Sequence, residues 1–255
     1  MIMIEKKYIN EIPMLMIEET DKKAQPLPTV VYYHGFNGEK ESNLTLAYKM
    51  VEKGLRVILP ESIYHGERRH NATAQDIDMA FWQIVIQNIK ELGQIKDYLE
   101  EHQLLLDGQI GIGGTSMGGI TTYGALRTYD WIKTGAVLMG TPYMTAYAKM
   151  IIDRFENNHG TTLPEVMIND TLEMLAAFDI TNDLETLNNR PLFIWHGAKD
   201  AIVPVDHSRQ FFDEVKPLYE NADILHYLEE ADRIHNISKR SMDESAVWFE
   251  KYLVK

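Results

Sequence analysis

Gly114-Thr115-Ser116-Met117-Gly118 is the most specific pentapeptide in the chain. It follows Gln109–Ile112, which reads as a short buried strand, and opens Met117–Arg127, which reads as a helix. A G-x-S-x-G at a strand-to-helix turn is a nucleophile elbow. The serine backbone is strained there, and its neighbours two residues away must lack side chains for strand and helix to approach. The hydroxyl then stands at the carboxyl end of a sheet and the amino end of a helix. Free N–H groups and the helix dipole at that point favour a developing oxyanion. With 7 serines and 16 glycines in 255 residues, about 0.03 such matches arise by chance.

Outward from the pentapeptide, short apolar runs alternate with helical patterns. Thr29–Tyr33, Arg56–Leu59, Ala136–Met139, Leu192–Trp195 and Ile224–Leu228 join Gln109–Ile112 as expected strands. Ser42–Lys53, stopped by Gly54, and a long segment from about Gln75 to His102 are expected helices. In the latter, Ile77, Phe81, Ile84, Val85, Ile89, Leu92, Ile95 and Leu99 share one face. Asp206–Val215 and Asp243–Leu253 also read as helices, and residues 8–19 as an edge hairpin around Pro13. The alternation predicts an α/β fold in three layers, a mostly parallel sheet with helices on both faces, forming one domain over 1–255. Residues 141–190 are too long for an ordinary connection. With helical runs at Met144–Phe155 and Pro164–Phe178, they read as a helical lid inserted in the domain; the alternative is a pair of ordinary packing helices.

A serine hydroxyl is a weak nucleophile without a base. In chain order the acid and then the histidine should follow the serine. Of the histidines after Ser116, His235 lies in Asp232-Arg-Ile-His-Asn236, between the last strand and the last helix, where a loop returns to the top of the sheet. His196 and His226 sit in or beside strands and are expected to pack or bond locally; His207 opens a helix and is expected to be exposed. For the acid, Phe193-Ile-Trp-His-Gly-Ala-Lys-Asp200 runs off a strand into a turn, where a carboxylate can orient the base. Asp206 competes, but suits the N-cap of its helix better. A second oxyanion donor is expected after an early strand. Val30-Val-Tyr-Tyr-His34-Gly-Phe-Asn-Gly38 supplies it, with the backbone N–H of Phe36 pairing with that of Met117 unless this is a plain strand-ending turn.

Composition narrows the function classes. Lys and Arg number 25 against 38 Asp and Glu, a net charge of −13. That field repels phosphate backbones, so no nucleic-acid partner is expected. The chain has no cysteine, which excludes disulfides, thiolate metal sites and a cysteine nucleophile. Hydrophobic residues at 45% and charged residues at 25% exclude disorder of the whole chain. No window reaches 18 uncharged apolar residues, and Met1-Ile-Met-Ile-Glu-Lys-Lys is no signal sequence. The expectation is a cytoplasmic monomer or homodimer with no membrane partner, no metal and no cofactor.

Four segments, His34-Gly-Phe-Asn-Gly38, Gly114-Thr-Ser-Met-Gly118, His196-Gly-Ala-Lys-Asp200 and Asp232-Arg-Ile-His235, together resemble the α/β-hydrolase superfamily. The nearest branch is similar to small bacterial serine esterases related to the prolyl oligopeptidase catalytic domain and to dienelactone hydrolases. The resemblance covers residues ~25–255 in layout. It implies Ser116 as nucleophile, Asp200 as acid, His235 as base, and Phe36 and Met117 as oxyanion donors. Pro60–Arg68 resembles the family's loop after the next strand, which often carries a His-Gly pair, here His65-Gly66; the histidine there is more often structural than catalytic. The expected activity is serine-dependent hydrolysis of small to medium carboxylic esters through an acyl-enzyme. An acyl-thioesterase or small-peptide hydrolase would use the same triad, and a non-catalytic binding protein on this fold is the rival from another class.

Overall fold

A computed structural model describes residues 1–254, apart from the side chains of residues 158 and 159; Lys255, the last residue of the expected domain, lies outside the described residues. The strands are β1 (Ile2–Ile9), β2 (Ile12–Glu19), β3 (Leu27–Tyr33), β4 (Arg56–Pro60), β5 (Leu105–Thr115), β6 (Thr134–Leu138), β7 (Leu192–Gly197) and β8 (Leu225–Glu230). They form one sheet in the order β1-β2-β4-β3-β5-β6-β7-β8. β2 pairs antiparallel with β1 and with β4, and every pairing from β4 to β8 is parallel. This is the α/β-hydrolase fold.

Strands covered on both faces carry apolar residues on both, and β3 shows it. Val31 and Tyr33 face one cluster, with Leu92, Ile95 and Leu99 of α3 (Phe81–Glu101) and Tyr123 and Leu126 of α4 (Met117–Thr128). Val30 and Tyr32 face the other, with Leu46 and Met50 of α1 (Leu44–Val51) and Trp248 and Phe249 of α8 (Lys239–Leu253). Each such fully buried apolar side chain contributes roughly 1.5–3 kcal/mol.

Several boundaries differ from the sequence expectation, three of them for reasons that the structure shows. The hairpin spans residues 2–19 and turns at Asn10, whose φ is 53°, not at Pro13, which pairs with Tyr8 inside the ladder. β1 alternates half-buried and exposed positions at an edge, and its charged run Glu5-Lys6-Lys7 breaks the apolar pattern. The long helix breaks at Ala80 into α2 (Ala74–Met79) and α3, because the Ala80 N–H closes onto the carbonyls of both Asp76 and Ile77. The apolar spacing stays in phase across the break and cannot register it. The last helix begins at Lys239, because the Ser238 hydroxyl accepts from the Ser241 N–H and caps it.

Residues 141–190 contain α5 (Met144–His159), α6 (Glu165–Ala176) and two 3-10 turns. Leu175, Met144, Tyr147 and Ala148 pack against Trp82, Ile84 and Ile89 of α3. Among the described residues, no helix is long and apolar enough to cross a membrane.

Candidate active site

β5 ends at Thr115 and α4 starts at Met117, so Ser116 alone makes the turn, at φ 55° and ψ −113°. The two glycines around it are obligatory on steric grounds. A Cβ on Gly114 would stand 2.1 Å from the Gly118 carbonyl oxygen, and one on Gly118 would stand 2.2 Å from that of Tyr33. The Ser116 N–H donates to Leu138 and its carbonyl accepts from Ile120, the first bond of α4. The amides of Met117, Gly118 and Gly119 therefore have no acceptor within the helix.

Asp200 and His235 arrive on two loops from the carboxyl end of the sheet. One follows β7; the other joins β8 to α8. The loops are bound to each other by the Lys199 N–H on the Arg233 carbonyl at 2.8 Å and the Ala198 N–H on Glu230 at 3.0 Å. His235 Nδ1 lies 2.6 Å from Asp200 Oδ2, and its Nε2 lies 2.8 Å from Ser116 Oγ. With a carboxylate on Nδ1, that nitrogen carries the proton and Nε2 is left to accept from the serine.

Asp200 is fully buried at its side chain. Burial alone would raise its pKa. The hydrogen bonds from His196, from His235 and from the Ile202 N–H outweigh that and hold the carboxyl well below the usual range. Its Oδ1 also accepts from the Val203 N–H at 3.0 Å. Together with the Ile202 N–H bond this makes Asp200-Ala-Ile-Val an Asx-type turn, a pattern that an aspartate at a loop start can signal in sequence.

The remaining sequence candidates fall as follows. His196 is buried and bonds locally, to Ser208 Oγ at 2.7 Å, and adds a contact to Asp200 Oδ2 at 3.2 Å. Asp206 is not the N-cap; Pro204 holds that position, and Asp206 sits in the first turn of α7 (Val205–Val215), paired with Arg209. His207 is half-buried rather than exposed, because its Nδ1 bonds Thr141 Oγ1 at 2.8 Å, and burial lowers its pKa. His226 is exposed and stacks on Phe193.

Phe36 lies on the loop after β3, beside the serine. A Cβ on the preceding Gly35 would be 3.6 Å from Ser116 Cβ. Beneath this loop is a buried polar layer that sequence reasoning missed. Lys40 Nζ is 2.7 Å from Glu61 and from Glu67, and the Glu61 side chain is fully buried. Arg68 forks onto both oxygens of Glu91 at 2.7 and 2.8 Å. The ring of His34 sits above Glu61, and burial pushes its pKa down to about 4.

Phe36 also stands between two cavities. The larger, about 770 Å³, is lined by Phe36, Phe81 and Trp82 together with Ile151, Met167 and Met174 of α5 and α6. The smaller, about 430 Å³, is more polar and reaches Asn37, Tyr64, His65 and Arg69. From α5, the Tyr147 hydroxyl donates to the Ile202 carbonyl at 3.3 Å, which ties residues 141–190 to the Asp200 turn. Burial raises that phenol to about 12, so it stays protonated.

With this geometry in place, residues 87–255 match the prolyl oligopeptidase family. The chain belongs to that family. Esterase YjfP of Escherichia coli (strain K12) is 30% identical over 253 residues, covering 99% of this chain and all of that protein. YitV of Bacillus subtilis (strain 168), whose name carries a provisional esterase assignment, is 38% identical over 255 residues, covering 99% of this chain and all of its own. The crystal structure of TT1662 from Thermus thermophilus superposes with a TM-score of 0.77 at 16% identity, over 100% of this chain and 99% of that one, and shows the shared fold alone. Membership of this branch of the α/β-hydrolase superfamily makes the chain a hydrolase.

Proposed function

We propose that the chain is a serine-dependent carboxylic-ester hydrolase. The observation that carries this reading is the continuous relay from Ser116 Oγ through His235 to Asp200, with contacts of 2.8 and 2.6 Å. Ser116 attacks the ester carbonyl while His235 Nε2 takes its proton. The negative charge on the former carbonyl oxygen is met by the backbone N–H groups of Met117 and Phe36. His235 then gives its proton to the leaving alcohol, and an acyl-Ser116 remains. Water repeats the cycle and releases the acid. Asp200, held ionised, keeps the imidazole in the working tautomer and stabilises the imidazolium.

The esterase names of two relatives matched over nearly the whole chain favour an ester over an amide. The apolar 770 Å³ cavity beside Phe36 suits a small to medium acyl group, and α5 and α6 act as its lid. Hydrolysis of p-nitrophenyl esters from acetate to palmitate, with wild type and Ser116→Ala side by side, tests this. The expected outcome is turnover that falls by about 10⁶ in the variant, with an optimum at short or medium chains. Wild type inert on every ester, or a variant as active as wild type, overturns it.

A further inference from the structure

Two peptide carbonyls meet the ring of His65. Its Nε2 lies 2.5 Å from the carbonyl oxygen of Phe36, and its Nδ1 lies 2.9 Å from that of Ile63. A carbonyl oxygen can only accept, so a proton on Nε2 is donated to Phe36. The residue is 6% exposed. Its ring packs 5.0 Å from that of His34 and 5.7 Å from that of Phe36.

The backbone has been bent to put this ring there. Tyr64, just before it, takes φ 63°, and Gly66, just after it, takes φ 44°. A side chain at Gly66 would collide with the Glu61 carboxylate, 2.0 Å from its Cβ. Glu61 is in turn held by the Nζ and the N–H of Lys40, at 2.7 and 3.0 Å. Arg68 anchors the far end, through the Glu61 carbonyl at 2.9 Å and the Glu91 carboxylate. A left-handed non-glycine residue is strained and persists only where its surroundings over-determine it.

The target of the ring matters. In the Gly35–Phe36 peptide, the carbonyl of Gly35 already accepts from His34 Nδ1 at 2.8 Å and from the Gly38 N–H at 2.9 Å. The same peptide carries the Phe36 N–H. The His65 contact holds the following peptide at its Phe36 carbonyl, so the peptides on both sides of the Phe36 Cα are pinned.

We propose that His65 is a positioning residue that locks Phe36, so that its N–H stays aimed at the oxyanion above Ser116. The inference rests on reading Phe36 as an oxyanion donor in the proposed esterase. His65 touches no reacting atom and acts through the peptide it holds.

The test uses the full chain with His65→Phe, which keeps a ring and removes its N–H donor, and His65→Gln, whose amide can still reach the carbonyl. On p-nitrophenyl butyrate, kcat of His65→Phe should fall about 10- to 100-fold, because a loosened donor loses part of the 10²–10³ that deleting one costs. KM should stay within about twofold. The inhibition constant of phenylboronic acid, which forms a tetrahedral adduct on Ser116, should rise by the same factor as kcat falls. His65→Gln should recover most of both. If His65→Phe does not fold, His65→Asn replaces it, since its shorter amide falls short of the carbonyl. Ser116→Ala is run in parallel. Should it abolish turnover while the His65 variant keeps wild-type kcat and boronate affinity, the positioning role is wrong. A fall in kcat without a matching loss of boronate affinity overturns it too. Should Ser116→Ala retain activity, the esterase reading itself has failed.

Discussion

The two sides of Ser116 are built on different principles. On the Phe36 side, the loop rests on buried charge: Lys40 with Glu61 and Glu67, Arg68 with Glu91, and two histidine rings. On the Asp200 and His235 side, the loops are exposed, with Asp232 at 91% and Ile234 at 59%, while the Asp200 carboxylate and the His196 ring beneath it lie deep. One side is fixed by what lies beneath it. The other is fixed by hydrogen bonds converging on a single carboxylate. Removing that carboxylate's charge should therefore be felt in chemistry, whereas disturbing the ion pairs of the buried layer should be felt in stability.

Asp200→Asn should show the largest effect. It keeps the shape but favours the wrong histidine tautomer, so kcat should fall by about 10⁴. Steady-state kinetics at pH 7 with a parallel Tm checks this, and a loss below tenfold would mean that Asp200 is a structural Asx turn only.

Acid should weaken the Phe36 side first. His34 has its folded pKa pushed down to about 4 by burial, against an ordinary value of about 6.5. Below about pH 6.5 the unfolded chain takes up a proton that the fold refuses, so stability is full above that value and drains away as pH falls toward about 4. Asp200 acts in the same direction but in a lower window: its depressed pKa gives stability that is full above the ordinary carboxylate value and is lost as pH falls below it. Urea unfolding at pH 7, 5 and 4 should thus lose about 3 kcal/mol over the upper window. His34→Gln should flatten that slope, and an unchanged slope would remove His34 as its source.

The smallest effect belongs to the exposed side. Lys199 and Asp232 form an ion pair at 2.7 Å, but they are 61% and 91% exposed. Lys199→Ala should leave Tm unchanged and kcat within about twofold, since such pairs are solvated and entropically costly. A measurable loss in either would show that this pair, rather than the backbone bonds between the loops, joins Asp200 to His235.

The same contrast explains what could be read from the sequence. The elbow is local: five consecutive residues carry its sterics, and the glycines at 114 and 118 announce it. Asp200 and His235 were legible from their places after strands, because the fold brings strand ends together. The buried layer was not. Lys40, in Gly38-Glu-Lys-Glu41, reads as part of a solvated charged run, yet it is 3% exposed. Its partners Glu61 and Glu67 lie 21 and 27 residues away, and no local pattern marks such pairs. The break at Ala80 escaped for another reason, since periodicity reports phase and not continuity. The true extent of the first hairpin escaped because Glu5-Lys6-Lys7 interrupts the apolar pattern of β1 on both of its faces.

That charged run has a consequence for crowded solutions. An eight-stranded sheet that does not close leaves two rows of unpaired peptide groups, at β1 and β8. β1 carries Glu5, Lys6 and Lys7 along its length, and β8 ends in Glu229 and Glu230. A strand from another molecule that tried to add itself to either rim would meet charged side chains that it would have to desolvate. The residues that made the first strand hard to see are the ones that discourage neighbouring copies from zipping into fibrils.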